Sequence, residues 1–283
     1  MTLLAVEKLN KAFGGVRAID SLSFEITRGA VHSIIGPNGA GKTTLLNMLT
    51  GIYRPDAGRI VLDGRDVTFA PAWRFAAAGI GRTFQNLQIF FNMSALENVM
   101  TGRHLREQCP LLAALFRTPA HARAEAACRA KARELLRAVG LDEYHEKSAG
   151  ELPYGALKRL EIARALAAEP MLLLLDEPAA GLNQSEARDL GALIQRVAAD
   201  GTTVILVEHN MRLVMGVSDH LLVLDYGRKL AEGKPAEVSR DSRVIEAYLG
   251  TAGGEVNADR PLAPSETMAA ANDAATVRGA AHA

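Results

Sequence analysis

Residues 36–44 read Gly-Pro-Asn-Gly-Ala-Gly-Lys-Thr-Thr, the G-x-x-x-x-G-K-[ST] spacing. Gly36, Gly39 and Gly41 can enter left-handed conformations without a Cβ penalty, so the backbone through Pro37, Asn38 and Ala40 can curl closely around an anion. The loop opens a helix, and its N–H groups converge with the helix N-terminus on phosphate oxygens. Lys42 can reach the β- and γ-phosphates, and the Thr43 hydroxyl, followed by Thr44, is placed to ligate Mg²⁺. The ligand class is therefore a nucleotide phosphate.

Two further groups surround that chemistry. The apolar run Leu172–Leu175 ends in Asp176-Glu177-Pro178. An aspartate closing a buried strand supplies the second Mg²⁺-coordinating group of a phosphate-loop ATPase. Glu177, one residue on, can orient or deprotonate the water that attacks the γ-phosphate. A second apolar run, Val204–Val207, leads into Glu208-His209. Parallel neighbouring strands would bring His209 to the same sheet edge as Glu177, where an imidazole can hydrogen-bond the γ-phosphate.

The elements that must position these groups are legible in outline. Val31–Ile35 is a short apolar strand before the loop, and Leu45–Leu49 continues as an apolar helix after it. Residues 3–30 alternate apolar and polar and turn at Gly14-Gly15, which predicts paired strands. A turn–strand–turn follows at 56–64. From about residue 87 the pattern becomes helical: Ser94-Ala95-Leu96-Glu97 is a capping box, Thr118-Pro119 opens a long helix, and Gly140 stops it. The apolar runs 171–175 and 203–207 restore buried parallel strands. The plan is an α/β nucleotide core interrupted by a helical insertion. After Gly250 the chain is Ala-rich with few large apolar residues, and 251–283 reads as a disordered tail.

Composition narrows the partners. Lys+Arg and Asp+Glu each number 32, so the chain is neutral and carries no electrostatic signal for nucleic acid or anionic lipid. Cys109 and Cys128 are the two thiols, without metal spacing or a disulfide framework, which fits a reducing compartment. The first residues lack a signal-peptide pattern. No apolar run approaches the roughly 20 residues of a spanning helix, so a partner would have to hold the chain at any membrane.

The segment Leu152-Pro153-Tyr154-Gly155-Ala156 and the Arg- and Ala-rich stretch after it resemble the signature of ATP-binding-cassette (ABC) ATPases, whose usual form is Leu-Ser-Gly-Gly-Gln. The order phosphate loop, glutamine loop, signature, Asp-Glu-Pro and histidine matches that family over residues 3 to about 250. The resemblance implies an α/β P-loop NTPase core with an N-terminal antiparallel β subdomain and an inserted α-helical subdomain. The ATP-binding domain would span 1–250, with its core at about 1–86 and 169–250 and its helical part at about 87–168. It also implies that Phe13 stacks on adenine and that Gln85 reaches Mg²⁺ and the attacking water. Tyr154 and Gly155 would contact the γ-phosphate held by a second ATPase. Pro153, Ala156 and Asn183 depart from the family's usual Ser, Gln and Asp.

Finer strings are similar to the ATPases of branched-chain amino acid importers: Gly81-Arg82-Thr83-Phe84-Gln85-Asn86, Leu96-Glu97-Asn98-Val99, Val207-Glu208-His209-Asn210-Met211 and Glu246-Ala247-Tyr248-Leu249-Gly250. Such a protein would bind ATP and Mg²⁺ and pair with itself or a second ABC ATPase. It would sit on the cytoplasmic face of a bacterial inner membrane through two permease subunits, served indirectly by a periplasmic binding protein. Related ATPases serve urea uptake and lipopolysaccharide export. Soluble cassettes of DNA repair or translation carry a long insertion or a second cassette that this sequence lacks. A regulatory nucleotide binder without turnover would not need Glu177 and His209.

Overall fold

A computed structural model describes residues 1–104, 106 and 118–249. The tail reading for 251–283, part of the helical stretch after residue 103, and Cys109 lie outside the described residues. In chain order, Thr2–Phe13 (β1) and Val16–Thr27 (β2) form a hairpin, followed by Val31–Ile35 (β3) and the helix Lys42–Leu49 (α1). Ala57–Leu62 (β4), Arg65–Asp66 (β5), Ala72–Ala77 (α2) and Ile80–Arg82 (β6) come next. Among the described residues the helices Ala95–Gly102 (α3), Pro119–Ala138 (α4) and Tyr154–Leu166 (α5) follow. The chain then alternates through Leu172–Asp176 (β7), Gln184–Ala199 (α6), Thr203–Val207 (β8), Met211–Val217 (α7) and His220–Asp225 (β9). It continues with Arg228–Gly233 (β10), Pro235–Val238 (α8) and Ser242–Leu249 (α9).

The local signals act as chemistry requires. Gly14 and Gly15 turn the hairpin at φ 51° and 89°. Ser94 Oγ accepts from the Glu97 N–H while Glu97 accepts from the Ser94 N–H, so two orphan donors of α3 are satisfied reciprocally. Thr118 caps α4, Pro119 occupies its first turn, and Gly140 leaves it at φ 71°. Asn183 replaces the carboxylate usual in the resembling family, yet its amide oxygen accepts from the Ser185 and Glu186 N–H groups and caps α6.

Two sheets result. The four-stranded sheet runs β2-β1-β4-β5 with antiparallel pairing, and the six-stranded sheet runs β10-β9-β3-β8-β7-β6. In the larger sheet β9, β3, β8, β7 and β6 are parallel and β10 is antiparallel at the edge. Burial on both faces explains why β3, β7 and β8 are fully buried along their length. One face packs against α1 and the smaller sheet, through Leu45, Leu49, Leu172 and Leu174. The other packs α3, α4, α5 and α6, through Val99, Leu136, Leu160 and Leu190. The carboxyl ends of β3, β7 and β8 therefore open toward one edge, which is where open α/β sheets place ligands.

His32 sits within β3, buried, with its ring stacked on His220 at 5.2 Å. Its Nε2 accepts from the Thr27 N–H at 3.1 Å, which requires the neutral ring. Burial first, and then the charge of His220, lower its pKa from 6.5 to about 4. The unfolded chain binds the extra proton between these values, so stability is complete above the unfolded pKa and is lost as pH falls through the window. The shift corresponds to roughly 3 kcal/mol. Thermal melts from pH 7 down to pH 4 should fall more steeply for the wild type than for His32→Gln. Parallel curves would refute this role for His32.

Candidate active site

The phosphate loop is shaped by close backbone neighbours. Gly36 is buried with φ 155°, and a Cβ there would stand 2.2 Å from the Leu224 carbonyl oxygen of β9. Gly41 has φ 98°, and its Cβ would stand 2.4 Å from the Ala18 carbonyl oxygen. Gly39, at φ 83°, turns in open space beside the exposed Asn38. Ala40 is buried and its carbonyl accepts from the Gly227 N–H at 3.1 Å, which ties the loop to the β9–β10 turn. No side chain caps the start of α1. Its first-turn N–H groups, carried by Lys42, Thr43 and Thr44, therefore remain available to an anion.

Lys42 is 7% exposed and donates to the carbonyls of Gly36 at 2.7 Å and Pro37 at 2.9 Å. Burial pushes its ammonium below the ordinary lysine range, and Glu177 and Asp176 oppose that shift. The cation and both carboxylates thus feel one another across the end of the sheet.

Glu177 follows β7 at φ 48°, a strained conformation for a residue with a side chain. Its N–H donates to the Val207 carbonyl at 2.8 Å, which fixes the strained turn to the end of β8. One carboxylate oxygen accepts from Gln85 Nε2 at 3.0 Å, and the other lies 3.0 Å from His209 Nε2. Gln85, Glu177 and His209 come from three separate segments and meet on one carboxylate, as the strand order predicts for Glu177 and His209.

Asp176 is 4% exposed and pairs with Arg82, Nη2 to Oδ2, at 2.9 Å. Arg82 also donates to Asn47 Oδ1 and Thr50 Oγ1 of the α1 segment. It therefore joins the phosphate-loop helix, the Asp176 strand and the root of the Gln85 segment. No local motif marks Arg82 as part of the site. Its signal was a charged residue closing a short apolar strand, a position that burial tolerates only with a partner. Glu208 is likewise unmarked as a functional group. It is buried and accepts from the N–H groups of Ala179 at 2.6 Å, His209 at 3.1 Å and Asn210 at 3.4 Å. One carboxylate thereby fastens the loop after Glu177 to the loop carrying His209.

Phe13 ends β1, is 43% exposed, and meets the Tyr53 ring edge-on at 5.3 Å. Tyr53 was not anticipated and gives Phe13 an aromatic neighbour suited to a planar base. Tyr154 and Gly155 open α5 beside the 180–186 segment rather than being drawn onto the Lys42 loop by a hydrogen bond. The Tyr154 hydroxyl donates to the Ala180 carbonyl at 3.3 Å, and a Cβ on Gly155 would stand 2.6 Å from Glu186 Oε1.

Among the described residues no cluster of three or more His, Cys, Asp or Glu side chains could hold a metal by itself. Thr43 and Asp176 instead offer one oxygen-bearing side chain each near the loop, the Asp176 carboxylate being shared with Arg82. That set suits Mg²⁺, which uses one or two carboxylates together with substrate phosphates.

A loop, an acidic strand end and a histidine so arranged define a cassette ATPase. The family described as ABC transporter matches residues 19–180, and the chain belongs to it as an ATP-binding, ATP-hydrolysing protein. The description branched-chain amino acid ATP-binding cassette transporter matches residues 228–253. The chain is 45% identical over 251 residues to the high-affinity branched-chain amino acid transport ATP-binding protein BraF of Pseudomonas aeruginosa, covering 88% of this chain and 98% of that one. It is 43% identical over the same shares to LivG, the corresponding protein of Salmonella typhimurium. A solved nucleotide-free ATP-binding cassette from an ABC transporter is similar at TM-score 0.77 and 34% identity, covering 88% of this chain and 99% of that one. A second solved cassette, in its ADP conformation, matches with the same values.

Proposed function

We propose that this protein is the ATP-hydrolysing subunit of an importer for leucine, isoleucine and valine. The observation that carries the hydrolytic part is the convergence of Gln85, Glu177 and His209 beside Lys42. The solute class is supported by the names of its relatives and by the matched segment 228–253.

Lys42 and the first-turn N–H groups of α1 bind the β- and γ-phosphates, and Phe13 supports the base. Thr43, Asp176 and Gln85 would hold Mg²⁺, which when bound would supply positive charge to the phosphate oxygens. Glu177 orients the water in line with the γ-phosphate and takes its proton, while His209 hydrogen-bonds the γ-phosphate. The α/β core comprises about 1–86 and 169–250 and the helical subdomain about 87–168. Two permease subunits hold the protein at the cytoplasmic face of the inner membrane, and a periplasmic binding protein feeds them. Among the described residues no helix is long and apolar enough to cross a membrane.

The phosphate site is completed by Tyr154 and Gly155 of a second cassette, this chain's own copy or a similar ATPase. Pro153 weakens that contribution. It occupies the N-cap of α5 and makes no side-chain cap bond, whereas a serine hydroxyl there would accept from the first turn, worth about 1 kcal/mol. Pro153→Ser should therefore tighten ATP-driven dimerisation several-fold, read by size-exclusion light scattering of a slowly hydrolysing background. An unchanged dimerisation constant would remove Pro153 from the account.

The test of the function is copurification with two permeases, followed by ATP-dependent uptake of labelled leucine into vesicles. Transport of urea without leucine would overturn the solute assignment, and ATP-independent uptake would overturn the coupling.

A further inference from the structure

The two sheets meet beside the phosphate loop. β2 is an edge of the smaller sheet and β10 an edge of the larger. Between them two glycines approach the Ala18 carbonyl of β2: Gly41 at the N-cap of α1 and Gly227 in the β9–β10 turn. A Cβ on either would strike that oxygen. Gly227 also bonds in both directions. Its N–H donates to the Ala40 carbonyl of the loop at 3.1 Å, and its carbonyl accepts from the Asp20 N–H at 2.9 Å.

One ion pair closes this junction. Arg228, the first residue of β10, donates from Nε at 2.9 Å and from Nη2 at 2.6 Å to the same carboxylate oxygen of Asp20. The Asp20 side chain is 10% exposed and that of Arg228 72%, so a nearly buried carboxylate is covered by an exposed guanidinium. Arg17 Nη1 stands 3.4 Å from the other Asp20 oxygen. Ile19, between them in sequence, packs in the same core as Ala40 and Leu45. Apolar burial holds the layers together but has no direction. A two-pronged charged hydrogen bond does have one, and it fixes how one sheet edge sits along the other.

Asp20 lies on the hairpin whose tip carries Phe13. Across that hairpin Phe13 pairs with Val16 and Ala12 with Arg17. Within its own sheet the tip is fastened by Asp56, which accepts from Lys11 Nζ at 2.8 Å and from the Ala12 N–H at 2.7 Å. That anchor sets the tip against the start of β4. The Asp20–Arg228 pair instead crosses to the turn that touches the phosphate loop.

We propose that Asp20 and Arg228 form a positioning latch for the nucleotide: by locking β2 to the turn that holds Ala40, the pair sets the spacing between the Phe13 ring and the phosphate loop. The proposal rests on the readings of Phe13 as the base contact and of residues 36–44 as the phosphate site. Both latch residues act through Phe13. A triphosphate alone needs only the loop, whereas a nucleotide must engage loop and ring together, at a span the latch decides.

The experiment measures binding of Mg²⁺-ATP and of inorganic tripolyphosphate, by isothermal titration, to the full chain as wild type, Arg228→Ala, Arg228→Lys, Phe13→Ala and the Arg228→Ala/Phe13→Ala double variant. Arg228→Ala should weaken ATP about two- to tenfold, the range of one aromatic stacking contact, and leave tripolyphosphate at its wild-type affinity. Arg228→Lys keeps a charged donor for Asp20 and should recover part of the loss. Phe13→Ala should show the same base-selective loss, and in the double variant the two losses should fall short of their sum, because the latch works through the ring. Equal weakening of both ligands in Arg228→Ala would make the pair a support of the loop and overturn the proposal. A lower Tm with ATP affinity unchanged, or fully additive losses, would overturn it too. Undetectable tripolyphosphate binding to the wild type would overturn the separation of loop from ring on which it stands. Phe13→Ala separates the two layers: base-selective loss there without one in Arg228→Ala sinks the latch alone, and no such loss in Phe13→Ala removes the base contact and the latch's task together.

Discussion

Glu177→Gln should bind ATP with near-wild-type affinity and hydrolyse it about 10²–10⁴ times more slowly, the usual span for removing a general base. The substitution conserves size and one oxygen acceptor, so the strained turn at φ 48° and its N–H bond to Val207 should survive. In the proposed mechanism it removes the negative charge that would orient the water and the site that would receive its proton. Both carboxylate oxygens are engaged here, one by Gln85 and one by His209. Each oxygen keeps a second lone pair, so a water can be bound while Gln85 and His209 hold the carboxylate in place. Single-turnover phosphate release beside equilibrium ATP binding checks the prediction. Hydrolysis within threefold of wild type would remove Glu177 from the chemistry, and loss of binding would mean that its role is in holding the loop.

The phosphate loop, its flanking strand and helix, and the strands ending at Asp176 and Val207 were legible because their signals are local. Glycine spacing, apolar runs of strand length and helix caps need no knowledge of distant residues. The meeting of Glu177 with His209 was legible for a different reason: two parallel neighbouring strands must end on the same edge. Arg82 and Glu208 were not legible as parts of the site. Their partners lie far away in sequence, in Asn47 and Asp176 for the first and in Ala179 for the second. Only the strand order β8-β7-β6 makes them neighbours. Short β6 and the edge strand β10 also went unread, because three residues or a polar edge give no reliable period.

Lys42→Ala should weaken ATP by about ten- to a hundredfold, because a charge-assisted hydrogen bond is worth roughly 1.5–3 kcal/mol. The loss should appear in binding itself, since on the proposed reading Lys42 meets the phosphates before any bond breaks. Lys42 donates to the Gly36 and Pro37 carbonyls, which hold its stem along the loop with the ammonium near Asp176 and Glu177. Phosphate binding asks this group to exchange loop carbonyls for phosphate oxygens, and a buried cation gains more from that exchange than an exposed one. Its depressed pKa gives a second, independent signature. Affinity requires the ammonium, so ATP binding should begin to fail at a lower alkaline pH than an ordinary lysine would allow. Lys42→Arg, whose guanidinium does not titrate in this range, should bind less well at neutral pH because its planar fork does not reproduce a compact ammonium. Yet its affinity should stay flat as pH rises. Isothermal titration of ATP analogues across neutral to alkaline pH measures both effects. Identical alkaline decline in wild type and Lys42→Arg would assign the titration to another group, and undiminished affinity in Lys42→Ala would place the phosphates elsewhere.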